Sequence, residues 1–269
     1  MPSNVITYTA TTSDFTINLT PRIQLDLNKK YEAALLSVNL YNSIPNITEA
    51  NNKFKYSTDE GITRKIISLN KGSYEVQAIN AEIERQMTIN GDYGVENNKF
   101  YINLSANLPE LKSIINITNK SYLLDFNIEN SIGPNLGFPR ALLWHYDFGY
   151  NLSPNIVDIL KVNRVLVNVD FISGSYVNGY QSSAIYSFDP YKVGPGYKLD
   201  DRPNPKVTYY QVNTRNAINN IRIWLTDQNN ELADLRGERI TIEIEIREVI
   251  NVKKHIIEAI RQLKQENIL

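Results

Sequence analysis

The chain has 269 residues, 42% of them apolar, with 28 basic and 29 acidic side chains and no cysteine. That length holds one large β domain or two small ones, and the apolar share is that of a chain with a real core. A net charge of −1 argues against a dedicated nucleic-acid binder, which usually shows a basic stripe or a high pI, and the missing thiols exclude disulfides, cysteine nucleophiles and cysteine-ligated zinc.

The opening "MPSNVITYTATTSDF" has neither a basic n-region nor an apolar h-region, so no secretory leader is expected. No apolar run reaches the ~18 residues of a membrane helix, and no membrane insertion is expected. In chain order, short alternating or apolar runs predict strands at residues 5–9, 14–19, 31–40, 53–57 and 65–69. A helix over 73–87 follows in "GSYEVQAINAEIERQM", with Ser73 as N-cap and Val76, Ile79, Ile83 and Met87 on one face. Further strands are predicted at 99–104, 114–117, 164–173 and 183–188. "FDPYKVGPGYKLDDRPNPK", residues 188–206, holds four prolines and two glycines and reads as a long loop inserted in one domain. Strands resume at 207–212, 218–226 and 239–250.

The last strand contains "RITIEIEIREVI", in which Ile240, Ile242, Ile244 and Ile246 alternate with Thr241, Glu243, Glu245 and Arg247. Residues 253–269 then predict an amphipathic helix with Ile256, Ile257, Ile260 and Leu263 on one face, packing on a surface outside the body. The expected organisation is an all-β body over 1–252, a sandwich or barrel of about a dozen short strands, and a helical tail over 253–269.

Chemical motifs fail one after another. "GSYVNGYQ", residues 174–181, matches G-x-x-x-x-G but places Tyr180 and Gln181 where a phosphate loop needs Lys and Ser/Thr, so it reads as a Gly/Asn turn. Only His145 and His255 could serve a metal or a triad, and no companion ligands or G-x-S-x-G elbow accompany them. Glu243 and Glu245 stand ~6.5–7 Å apart along one strand. Some glycosidases space their carboxyls so, but those flank a cleft, and one sits in an apolar pocket that raises its pKa. Here both point the same way. No catalytic residue, metal or cofactor is expected. With Arg236, Glu238, Arg239, Arg247 and Glu248 nearby, the row suits salt bridges to a neighbouring subunit. Tyr146, Phe148, Tyr150, Tyr176, Tyr180, Tyr191 and Tyr197 fall in expected loops, where aromatics serve interfaces, core lining or sugar stacking.

Several segments, in order, carry a family resemblance: "YNSIPNITEANNKFKY", "LNKGSYEVQAIN", "NSIGPNLGF" with Gly137 and Phe138, "SGSYVNGYQSSAIYSF" with Gly174, Tyr176 and Gly179, and "VNTRNAINNIRIWLTDQNNELADLRGERITIEIEI" with Arg215, Asn216 and Gly237. In patches from Tyr41 to Ile246 the chain resembles the penton, or minor capsid, proteins of Polinton/Maverick elements and adintovirus-like viruses. It is remotely similar to the adenovirus penton base. The resemblance implies a single jelly roll with loop insertions that forms homopentamers at the five-fold vertices of an icosahedral capsid. It implies contact with the major capsid protein, a receptor or fibre protein as a further candidate partner, no specific nucleic acid, and a place in the virion. Synthesis would be in the host cytoplasm and assembly in the nucleus. A ring needs two complementary flanks, which makes Arg236, Glu238, Glu243, Glu245, Arg247, Tyr176, Tyr180, Tyr191 and Tyr197 candidate interface residues. The Arg-Gly-Asp of many adenovirus bases is here Arg236-Gly237-Glu238, so receptor binding is not carried over. Nor is fibre anchoring, because the sequence shows no large insertion of the adenovirus kind. The competing expectations are a β-sandwich receptor- or glycan-binding module, such as a trimeric spike head, and a glycoside hydrolase.

Overall fold

The computed structural model describes residues 3–94, 99–143, 149–213 and 216–249. His145, Tyr146, Phe148, Arg215, His255 and the expected tail helix lie outside these residues. The chain divides into two compact units, Met1–Asn42 with Arg164–Leu269, and Ser43–Asn163. The first unit opens with β1 (Ser3–Ala10), β2 (Asp14–Gln24) and β3 (Tyr31–Tyr41). The second holds β4 (Lys53–Ser57), β5 (Lys65–Ser68), α1 (Val76–Ile89), β6 (Ile102–Asn107), β7 (Lys112–Ile117), β8 (Leu123–Asp125), β9 (Leu142–Leu143) and β10 (Gly149–Leu152). The chain returns to the first unit with β11 (Val165–Val169), β12 (Ile172–Ser173), β13 (Ser175–Val177), β14 (Tyr180–Ser182) and β15 (Ala184–Phe188). It ends with β16 (Lys198–Asp201), β17 (Tyr210–Val212), β18 (Ala217–Asp227) and β19 (Ile240–Glu248).

Two antiparallel sheets build the first unit: β1-β19-β3-β17-β12, with β16 also on β3, and β15-β11-β18-β2. Counting β16 and β17 together as the sixth of eight strands, the sheets run 1-8-3-6 and 5-4-7-2. That order is the double Greek key of a jelly roll. The protein is an all-β single jelly roll, and Ser43–Asn163 enters between its third and fourth strands. The sequence expectation of one body without a large insertion differs here. The inserted unit is itself made of short strands and one helix, so its sequence looks like more of the same sandwich.

Period-two patterning explains the core. Ile240, Ile242, Ile244 and Ile246 of β19 are at most 1% exposed, while the residues between them are half-buried. Ala33, Leu35, Val38 and Leu40 line β3 beside them, with Leu36 left unpaired where the register shifts at Glu243/Ile244. The other sheet contributes Val165, Val167, Val169, Ile221, Ile223 and Leu225, all buried. β2 carries Pro21, which a strand tolerates at the edge of a sheet.

In the second unit, sheets β10-β7-β6 and β5-β4-β8-β9 and helix α1 share a core that includes Phe54, Tyr56, Ile79, Met87, Ile115 and Phe126. The helical stripe is as expected, with Val76, Ile79, Ile83 and Met87 all buried. Its cap is not. Glu75 occupies the N-cap without a side-chain bond, because the Ser73 hydroxyl donates instead to the Ile44 carbonyl.

The proline-rich loop also differs from expectation. Its residues 198–201 form β16 on β3, between prolines and not through them. Asn42 ties the rest down: its Nδ2 donates to the Val193 carbonyl, its N–H to the Tyr197 carbonyl, and its own carbonyl accepts from Gly196.

The fold predicts a sharp contrast between two aliphatic residues. Ile244→Ala empties a buried position and is expected to cost about 2–5 kcal/mol in chemical denaturation. Val5→Ala on the exposed face of β1 is expected to cost under about 0.5 kcal/mol. Equal costs would contradict the assignment of faces.

Candidate functional site

The charged face of β19 makes its polar contacts within its own chain. Arg247 pairs directly across from Glu32 on β3, and its Nε donates to Glu32 at 2.7 Å. The same guanidinium lies 3.4 Å from the Tyr209 ring centroid, a cation–π contact. The Tyr209 hydroxyl donates to Glu245 at 2.7 Å. Burial, helped by that bond, raises the Tyr209 hydroxyl above the usual phenol range, so it stays a donor at neutral pH. Ser37 donates to Glu243 at 2.9 Å, Thr9 and Thr241 share a hydroxyl bond, and Lys29 reaches Glu248 at 2.9 Å. Sequence reasoning missed Glu32, Ser37 and Tyr209 in this network. Glu32 and Ser37 lie on β3 and Tyr209 immediately precedes β17, and cross-strand partners are set by register, which no single run of residues displays.

The two glutamates therefore answer to different partners, Ser37 and Tyr209, on an open sheet surface. This is the geometry of a sheet held together by cross-strand pairs.

The loop candidates separate by exposure. Tyr176 and Tyr180 are 71% and 79% exposed, on a hairpin in which Tyr176 pairs Gln181 and Val177 pairs Tyr180. Asn178 and Gly179 form its two-residue turn, with φ of 51° and 83°. Positive φ at both positions is the twist-matched hairpin turn, which Asn-Gly favours. The two tyrosines thus project from opposite faces of the hairpin. Gly174 precedes it at the end of β12. Tyr197 is 71% exposed. Tyr191 is half-buried, and its enclosed hydroxyl has no hydrogen-bond partner among the described residues. Arg236 and Gly237 also take positive φ, in a turn closed by Glu238 N–H on the Leu235 carbonyl at 2.9 Å. This turn ends two residues before β19 begins, and Arg236, Gly237 and Glu238 are all exposed.

Other motif residues are structural. Gly137 has φ of 81° and caps the short helical turn Gly133–Leu136. A Cβ there would stand 2.3 Å from the Asn155 carbonyl oxygen. Phe138 is buried and stacks on Phe126 at 5.5 Å. The Asn216 carbonyl accepts from Leu25 N–H. In the proline-rich loop, buried Asp201 accepts from Tyr186 at 2.8 Å and Lys192 at 2.7 Å.

No protein-family model and no curated protein matches the chain. Among solved structures, the crystal structure of the selenomethionine-labelled mavirus penton protein is 12% identical, with a TM-score of 0.49, and the match covers 93% of this chain and all of that one. The jelly-roll assignment above stands on this chain's own strand order.

Two measurements follow. Burial and the bond to Asp201 push the Tyr186 pKa from 10.0 to about 12. A folded-state pKa raised in this way gives stability that is fully present below the unfolded pKa and lost as pH rises through the folded one. Tyr186→Phe is expected to flatten the loss of stability between pH 10 and 12; an unchanged slope would show that the folded chain does not raise the Tyr186 pKa. Gly137→Ala adds that clash to a left-handed backbone costing about 1–3 kcal/mol. It is expected to destabilise clearly more than Gly149→Ala, where the added atom meets open space.

Proposed function

We propose that the chain is a structural capsid subunit, a penton-type minor capsid protein that forms homopentamers at five-fold vertices and contacts the major capsid protein of its particle. The observation that carries this reading is a jelly roll whose exposed aromatic and cationic groups stand on rigid turns at its two ends. A closed ring uses a heterologous interface, so each subunit needs two different surfaces. The Tyr176/Tyr180 hairpin connects the fourth and fifth strands, and the Arg236-Gly237 turn connects the seventh and eighth. Because β11 runs antiparallel to β18, these connections emerge at opposite ends. The segments that resemble penton proteins support the same reading. Within it, Tyr176, Tyr180, Tyr197, Arg236 and Glu238 are the contact candidates, whereas Glu243, Glu245 and Arg247 spend their polar groups on their own sheet. The virion is the place of action, no cofactor is required, and no catalysis is proposed. Glu243→Gln and Glu245→Gln should alter no hydrolytic turnover, because none is expected.

A second reading has one observation in its favour. A cleft of about 230 Å³ beside the β13–β14 hairpin is lined by Tyr176, Tyr186 and Tyr210 together with Ser175, Ser187 and Thr208. Aromatic faces interleaved with hydroxyls suit a saccharide. A glycan array that shows binding abolished by Tyr210→Ala would favour a receptor-binding module.

Light scattering coupled to chromatography tests the first reading. The expected mass is five times the 30.8 kDa chain. The pair Tyr176→Ser with Tyr180→Ser is expected to change folding stability by under about 0.5 kcal/mol and to shift assembly toward monomer at least tenfold. A chain that stays monomeric at high concentration and binds no major capsid protein would contradict the proposal.

A further inference from the structure

The chain contains the dipeptide Asn-Gly twice, at Asn90-Gly91 and Asn178-Gly179, and all four residues are exposed. A glycine after asparagine puts no Cβ in the way when the asparagine amide folds back onto the next backbone nitrogen. The residues in front, Ile89 and Val177, are both β-branched, so the two local sequences are alike. What differs is how firmly the fold holds the reacting groups. Asn90 closes α1: its Nδ2 donates to the Tyr56 hydroxyl at 2.8 Å, and the Gly91 N–H donates to the Thr88 carbonyl at 3.1 Å. The Asn178 side chain and the Gly179 N–H have no hydrogen-bond partner among the described residues. A Cβ placed on Gly179 would meet nothing within 4 Å beyond its chain neighbours, so the space beside that residue is open.

We infer that Asn178 is a site of self-modification, deamidating through a cyclic imide, and that its contacts preserve Asn90. The Gly179 nitrogen gives up its proton and forms a bond to Asn178 Cγ. The bond from Cγ to Nδ2 breaks, and the amide leaves with that proton as ammonia. Water then opens the ring at either carbonyl, giving aspartate or isoaspartate. At Asn90 the bonds to Tyr56 and Thr88 must break first, and attack depends steeply on how closely the two atoms can approach. The position of the product gives it a consequence. Both products add a carboxylate, and isoaspartate also routes the backbone through the side chain and lengthens it by one methylene. A two-residue turn with positive φ at both positions matches the twist of its strands only with the ordinary backbone. The hairpin carries Tyr176 and Tyr180, so on the assembly reading above the modification ages a contact surface.

Peptide mapping by mass spectrometry of the full chain, held folded at mildly alkaline pH, reads both sites at once as a gain of one mass unit. Asn178 is expected to convert on the order of tenfold faster than Asn90. In denaturant, where neither dipeptide is held, the two rates are expected to become alike. Hydrogen exchange across β13 and β14 is expected to quicken in the aged wild-type chain and to stay constant in an aged Asn178→Gln chain, where cyclisation needs a larger ring. Equal conversion of the two sites in the folded chain, or faster conversion at Asn90, would overturn the inference. A difference that survives unfolding would overturn its structural basis, and unchanged exchange would overturn the loss of the turn. None of these readouts depends on oligomeric state, so a chain that proved monomeric would contradict the assembly reading alone.

Discussion

The register of β19 is the constraint on which the first unit depends. The strand is hydrogen-bonded on both edges, to β1 and to β3, and its side chains alternate strictly between core and surface. A slip of one residue would send Glu243, Glu245 and Arg247 inward and four isoleucines out. Burying even one unpaired charge costs several kcal/mol, a large part of a domain's whole stability. The pattern therefore fixes one pairing, and that pairing fixes the order of the entire sheet.

The same register decides what the polar face does. Opposite Arg247 stands Glu32, opposite Glu243 stands Ser37, and opposite Glu245 stands Ala34. Alanine leaves room for Tyr209, which immediately precedes the strand on the far side of β3 and reaches Glu245. Each of these pairs is worth only about 0.2–1 kcal/mol. Their effect is to occupy the charges.

Much of this was legible in the sequence. The long strands and α1 were, because periods of 2.0 and 3.6 are written into consecutive residues. The central strand with its four isoleucines is the clearest case. The turn at Asn178-Gly179 was readable for the same local reason. The division into two units was not, since residues near Asn42 and Arg164 carry no Pro/Gly/Ser linker and the insert repeats the short-strand pattern of its host. β8, β9 and β16 are two to four residues long and owe their existence to partners distant in sequence. Ser73 misled as a cap because a serine hydroxyl has more than one acceptor within reach. Among the candidate interface residues, exposure sorted what sequence could not: Tyr176 and Tyr180 stand free, whereas Tyr191 is enclosed.

The central claim is that a jelly roll with its charges closed on itself is built to assemble through its ends. Electron-microscope class averages of the concentrated chain test it most directly. Rings of five copies with five-fold symmetry are the predicted result. Isolated particles at every concentration, or three-fold particles, would contradict it.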